Sequence, residues 1–168
     1  STPPTFLGTV ANISLNSEAG LCTATASWTA PAVTDNCAAA PSLTSSHMNG
    51  SPFPVGETLV TLTATDDHNN SSEISFTVTV TDVEDPTITN LPETIMFDND
   101  QDQCGAIVSW AEPTIADNCD IASSGSDIAN GATLDVGTHL VTYTATDTAG
   151  RSTSASFNVI VTDAQPPA

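Results

Sequence analysis

Two side-chain types are plentiful or regular enough in these 168 residues to do chemistry: carboxylates and thiols. Twenty Asp and Glu face one basic residue, Arg151, giving a formal net charge of −19. Nine of the acids lie in residues 1–85 and eleven in 86–168, so both halves are anionic and neither end is an acidic tail. Carboxylates at this density repel one another, and either high salt or a divalent cation relieves the repulsion. Calcium suits them, because it takes roughly six to eight oxygen ligands in a flexible geometry, whereas magnesium demands a tighter octahedron and keeps its waters. The acids positioned for this are Asp35, Asp66, Asp98, Asp100, Asp102, Asp117, Asp147 and Glu18 in turns and loops, Asp82, Glu84 and Asp85 at the centre of the chain, and Asp163 near its end. The plainer role for Asp35-Asn36 and Asp117-Asn118 is turn-making, since both side chains bond their own backbone. Nucleic acid and anionic membrane are poor partners, because both are bound by clustered Lys and Arg.

The thiols are four: Cys22, Cys37, Cys104 and Cys119. One spacing recurs in both pairs, and the even, repeated count argues for disulfides Cys22–Cys37 and Cys104–Cys119. Closing a loop of about 15 residues contributes about 3 kcal/mol in the chain-entropy picture. Zinc is a weak rival, as no CxxC spacing occurs and His47, His68 and His139 fall at unmatched positions. Sequence patterns for a nucleophile elbow, a phosphate loop or a His-Glu-x-x-His helix are missing, and the chain reads as a non-enzyme.

The elements that must position these groups follow from an internal repeat. Cys22, Trp28, Pro31 and Asp35-Asn36-Cys37 recur at one constant offset as Cys104, Trp110, Pro113 and Asp117-Asn118-Cys119. After a deletion of one position, Val55-Gly56, Ala64-Thr65-Asp66 and Phe76 recur as Val136-Gly137, Ala145-Thr146-Asp147 and Phe157. The boundary is Val83-Glu84-Asp85-Pro86, which divides the chain into domains 1–85 and 86–168. Thr2-Pro3-Pro4 and Ala164-Gln165-Pro166-Pro167 repeat that pattern, so both ends read as cuts through linkers of a longer array. In the first copy Val60, Leu62 and Ala64, and Phe76, Val78 and Val80, alternate with Thr, and Val141, Tyr143 and Ala145, then Phe157, Val159 and Val161, repeat the pattern in the second. Apolar-in, hydroxyl-out alternation marks half-buried antiparallel strands, and several of them between Gly and Pro turns make an all-β sandwich. The repeated Trp belongs to its core. No apolar stretch approaches the roughly 18 residues that a membrane helix needs.

Three ordered blocks occur in both copies: Cys-x5-Trp-x2-Pro-x3-Asp-Asn-Cys at 22–37 and 104–119, Val-Gly-x3-Val-Thr-x-Thr-Ala-Thr-Asp at 55–66 and 136–147, and Phe-x-Val-x-Val-Thr-Asp at 76–82 and 157–163. Together they resemble the HYR (hyalin repeat) domain over essentially the whole chain. The resemblance implies two tandem immunoglobulin-like antiparallel β-sandwiches from a secreted or cell-surface protein of adhesion or extracellular matrix. The last hairpin departs from the family's Asp-x-x-Gly-Asn turn: Asp66-Asp67-His68-Asn69-Asn70 lacks the glycine, which implies a differently shaped turn in the first copy. On such a fold Glu18, the central acids, Asp117 and Asp147 are expected to converge where the copies join, with calcium stiffening the junction. Asn12, Asn49, Asn69 and Asn70 open Asn-x-Ser patterns for N-glycosylation. The chain therefore reads as a structural and adhesive segment of an extracellular rod, stalk or fibre. Its partners would be neighbouring repeats, joined head to tail without an apolar interface, and glycans, with no membrane insertion. The alternatives are a loop-based binder of a glycan or protein, and an accessory domain pair of a secreted enzyme.

Overall fold

The computed structural model describes residues 2–37 and 40–165, and the closing Pro166-Pro167 of the repeated boundary pattern lies outside them. The chain divides into two compact units, Ser1–Val83 and Glu84–Ala168. Every regular element among the described residues is a strand. The first unit holds β1 (Thr5–Phe6), β2 (Ile13–Asn16), β3 (Thr23–Thr25), β4 (Val33–Thr34), β5 (Ser42–Ser45), β6 (Pro52–Pro54), β7 (Gly56–Thr65) and β8 (Ser71–Thr81). The second repeats the order with β9 (Thr87–Thr89), β10 (Ile95–Asp98), β11 (Gly105–Ile107), β12 (Thr114–Ala116), β13 (Ile121–Ser126), β14 (Thr133–Asp135), β15 (Gly137–Asp147) and β16 (Ser152–Thr162).

The hydroxyl-apolar alternation sets each layer. In β7, Val60, Leu62 and Ala64 are buried, while Thr61, Thr63 and Thr65 between them are only partly covered. A four-stranded sheet, β2-β8-β7-β5, presents that apolar face to two short ribbons, β3-β6 and β1-β4. The second unit has the same plan: β10-β16-β15-β13 opposite β11-β14 and β12-β9. One core gathers Ala24, Ala26, Phe53, Val60, Leu62, Phe76, Val78 and Val80; the other gathers Ala106, Val108, Trp110, Val141, Tyr143, Phe157, Val159 and Val161. Each tryptophan meets phenylalanine edge-on, Trp28 on Phe76 at 5.2 Å and Trp110 on Phe157 at 5.4 Å between ring centres. Such pairs add about 0.5–1.5 kcal/mol beyond burial.

One edge of each large sheet is parallel: β2 on β8 and β10 on β16. Alternation along a strand reports which face is buried, not the direction of its neighbour, so this pairing is invisible in the sequence. The hairpin turns also differ from expectation, because the two copies share one shape. Asp66 N–H donates to the Asn70 carbonyl at 3.0 Å, and Asp147 N–H donates to the Arg151 carbonyl at 3.0 Å. Asn69 adopts φ 64° where Gly150 adopts φ 86°. Asn tolerates the left-handed region well enough to stand in for the missing glycine.

Candidate functional site: the acidic poles of each unit

Strand register carries the acids to the two ends of each sandwich. In the second unit β15 runs from Gly137, paired with Val161, to Thr146, paired with Ser152. Asp98 pairs with Thr162 at the first end, where Asp163 follows β16 and Asp100 and Asp102 lie in the loop between β10 and β11. Asp147 closes β15 at the other end, beside Ile121. Asp117 follows β12, whose Ala116 pairs with Thr87 near the start of the unit. Asp85 joins that end through Arg151, whose Nε lies 2.7 Å from its Oδ1. Both side chains are well exposed, so this pair contributes at most about 1 kcal/mol. In the first unit Asp66 follows β7 at one pole and Asp35 follows β4; Glu18 and Asp82 lie at the opposite pole, beyond the Asn16–Thr81 register pair.

Most of these carboxylates shape backbone. Asp35 and Asp117 each accept the N–H of the cysteine two residues on, both at 2.8 Å. Asp66 accepts the N–H groups of His68 and Asn70 and the Asn70 amide, at 2.8, 2.9 and 2.8 Å. Glu18 accepts Thr25 N–H at 2.9 Å, and that bond lowers its pKa. Asp82, 3% exposed, accepts the Ser17 hydroxyl at 3.5 Å. Turn-making does not use every oxygen. Asp147 is 1% exposed; its Oδ1 accepts Arg151 N–H at 2.8 Å, while its buried Oδ2 has no hydrogen-bond partner. The buried Asp117 Oδ1 at the same pole is also without one. A buried carboxylate oxygen left unsatisfied is costly, and each of the two is a ligand of the kind that a hard cation takes.

The thiols depart from the expected pairing. Cys37 and Cys104 are free and exposed, whereas Cys22 and Cys119 are disulfide-bonded. Cys22–Cys37 and Cys104–Cys119 are therefore not formed, and the strands show why. The Cys104 carbonyl accepts Val136 N–H at 3.0 Å, just before β15 begins. Cys119 adjoins Asp120, whose carbonyl accepts Thr148 N–H at 3.0 Å, just after β15 ends. The length of β15 separates them, about 35 Å at ~3.3 Å per residue. A disulfide tolerates only about 7 Å between Cα atoms. Cys22 occupies the Cys104 position, its carbonyl accepting Val55 N–H at 3.2 Å just before β7.

Two features escaped the sequence reading. Asn49 and Asn130 each clasp a tryptophan backbone. Asn49 Oδ1 accepts Trp28 N–H at 3.0 Å and its amide donates to the Trp28 carbonyl at 2.7 Å; Asn130 does the same to Trp110 at 3.1 and 2.8 Å. The signal was present as Asn49-Gly50 and Asn130-Gly131, which stand at equivalent places in the two copies. The second feature belongs to the second unit. Trp110 Nε1–H donates to the Tyr143 hydroxyl at 2.7 Å, that hydroxyl donates to Glu112, and Asn130 also donates to Glu112 at 2.9 Å. The Tyr143 bond, then that of Asn130, lowers the Glu112 pKa; burial, then Glu112, raises that of Tyr143. Ala30 and Leu62 occupy the corresponding places in the first copy, so that core stays apolar there. Of the glycosylation candidates, Asn12, Asn49 and Asn69 are exposed, but Asn12 accepts Thr77 N–H at 2.9 Å, Asn49 holds Trp28 and Asn70 holds Asp66.

Two like-built β-sandwich units, each with its own core and acids at both poles, define a tandem module of immunoglobulin-like type. The HYR domain profile matches residues 1–80 and again 81–161, and the chain belongs to the HYR family. It is 34% identical over 174 residues to hyalin of Strongylocentrotus purpuratus, covering 99% of this chain and 14% of hyalin. Hyalin of Lytechinus variegatus is 35% identical over 145 residues, covering 83% of this chain and 27% of that protein. The chain thus spans about a quarter or less of the relatives it matches. A mucin-like protocadherin EC1-2 structure aligns over 98% of this chain and 100% of its own at TM-score 0.43 and 10% identity, too loose a likeness to bear on ligands. Family membership makes the chain an extracellular or cell-surface module. No helix long and apolar enough to cross a membrane occurs among the described residues.

Proposed function

We propose that this chain is a non-catalytic structural and adhesive segment of an extracellular array, and that calcium bound by its polar acids stiffens it. One observation carries the calcium reading: the buried, partnerless Asp147 Oδ2 at a pole that also bears Asp117 and its unsatisfied Oδ1. Turn-making accounts for Asp147 Oδ1 and leaves the other oxygen in a position that costs stability unless something binds there. A divalent ion would convert that cost, and the repulsion among neighbouring carboxylates, into attraction. Asp117 and Asp147 head the ligand set in this reading. Glu84 and Asp85 of the same unit are its further members, with Asp82, Glu18, Asp35, Asp66, Asp98, Asp100, Asp102 and Asp163 serving like sites at the other poles and in a longer array. The adhesive role rests on membership of the HYR family and on the tandem repeat.

Calorimetric titration of the chelator-treated protein tests this. Calcium is expected to release or absorb heat with defined stoichiometry, and Asp147→Asn, which keeps the acceptor for Arg151 N–H, is expected to remove at least one site. Equal calcium titrations of the two proteins, or no binding heat in either, would refute the assignment.

A further inference from the structure

The cysteines sort by pole. Cys22 and Cys104 occupy one repeat position, each bonded through its carbonyl to the residue before a long strand, Val55 or Val136. Cys37 and Cys119 occupy another, each giving its N–H to the Asp two residues earlier. The span of β15 puts the two positions at opposite ends of a unit. One member of each kind, Cys22 and Cys119, is disulfide-bonded, so both positions accept a disulfide in this fold. The other two, Cys37 and Cys104, are exposed thiols. Cys104 also lines an open cleft of about 630 Å³ with Asn99, Gln103, Val136, Asp163 and Gln165, large enough to admit a loop.

We propose that Cys104 and Cys37 are the two halves of a covalent head-to-tail coupling, in which Cys104 of one chain bonds Cys37 of a second copy. The partner is the Asp35-Asn36-Cys37 loop of that copy, seated at the cleft beside Cys104. Pairing unlike positions generates an open array, because the joined product still presents one free thiol of each kind. The oxidant is a small-molecule disulfide such as oxidised glutathione. The Cys104 thiol loses its proton, and the thiolate attacks that disulfide, forming a mixed disulfide and releasing one small thiolate. The Cys37 thiolate of the second chain then attacks the Cys104 sulfur and displaces the other. Two protein thiols and one small disulfide become one protein disulfide and two small thiols, with two electrons passing to the oxidant.

The coupling deepens the array reading and rests on it for the meeting of modules end to end, but it needs no calcium. The test is therefore run in chelator, so that its result is separate from that of the calcium titration. Concentrated protein is incubated with oxidised glutathione, then alkylated and resolved without reductant. The wild-type chain is expected to form a ladder whose new cross-linked peptide joins Cys37 to Cys104. Cys37→Ser and Cys104→Ser, each altering an exposed residue, are each expected to lose the ladder and stay monomeric alone, yet to give one dimer when mixed. Dimers of either variant alone in amounts equal to the mixture, or a mixture that stays monomeric, would overturn the proposal.

Discussion

Tyr143 shows how one residue divides two otherwise like cores. Its hydroxyl satisfies the buried Trp110 indole and is itself satisfied by Glu112. Tyr143→Phe strands that indole N–H and is expected to destabilise the second unit by about 1–3 kcal/mol. The first unit, with Leu62 at that place, should unfold unchanged, and denaturant titration resolving two transitions checks both. The same pair gives a pH signature. Glu112 has a lowered folded pKa, so its stabilisation is present above the unfolded value and is lost as pH falls through the folded one. Tyr143 has a raised folded pKa, so its share is present below the ordinary value of 10.0 and is lost as pH rises through the folded one. Melting temperature against pH should fall at both extremes in the wild type, and Tyr143→Phe should flatten these two contributions. The asparagine clasps offer a second comparison. Asn49→Ala frees the Trp28 backbone, while Asn130→Ala also removes a bond to Glu112. Each is expected to cost about 1–2 kcal/mol, with Asn130 the larger, again measured by denaturation. The repeated Asn-Gly pairs that carry these clasps are plain in the sequence, but their partners lie far off along the chain and nothing local announces them.

At the scale of elements, β11 and β14 approach more closely than a side chain allows. A Cβ on Gly105 would lie 2.5 Å from the Leu134 carbonyl oxygen, a backbone atom that cannot swing aside. Gly105→Ala is therefore expected to part this ribbon and cost about 1–3 kcal/mol, with faster amide exchange at Ala106 as the local readout. Thr23 fills the corresponding place in the first unit, so the tight approach is not a property of the repeat. The long hairpins were legible from alternation alone, since Val60 to Ala64 and Phe76 to Val80 can bury only one face. The parallel edges of β2 and β10 were not, because the same alternation suits either direction. The first hairpin turn looked different by composition and proved alike in shape, because Asn69 reaches the φ that Gly150 supplies.

For the whole molecule, the charge of −19 and the calcium reading give one expectation. An ion that binds only the folded chain, at about a hundred times its dissociation constant, stabilises it by roughly 2.7 kcal/mol. Chelator should then lower the melting temperature, and small-angle scattering should report a more flexible particle. An unchanged scattering profile would leave the acids as solubilising and turn-making groups alone.

The sequence by itself determined the repeat, the all-β class, the family and the faces that become core, because these depend on residue order and on a period of two. Only the tertiary structure decided what the polar groups meet. The short, repeated spacing between cysteines looks like a closed loop on paper, yet an extended chain of that length crosses the whole sandwich. Cys104 and Cys119 therefore stand at opposite ends of β15, and the bond expected between them cannot form. The acids followed the same logic in reverse: scattered along the chain, they collect at the poles because the long strands β7, β8, β15 and β16 begin and end there.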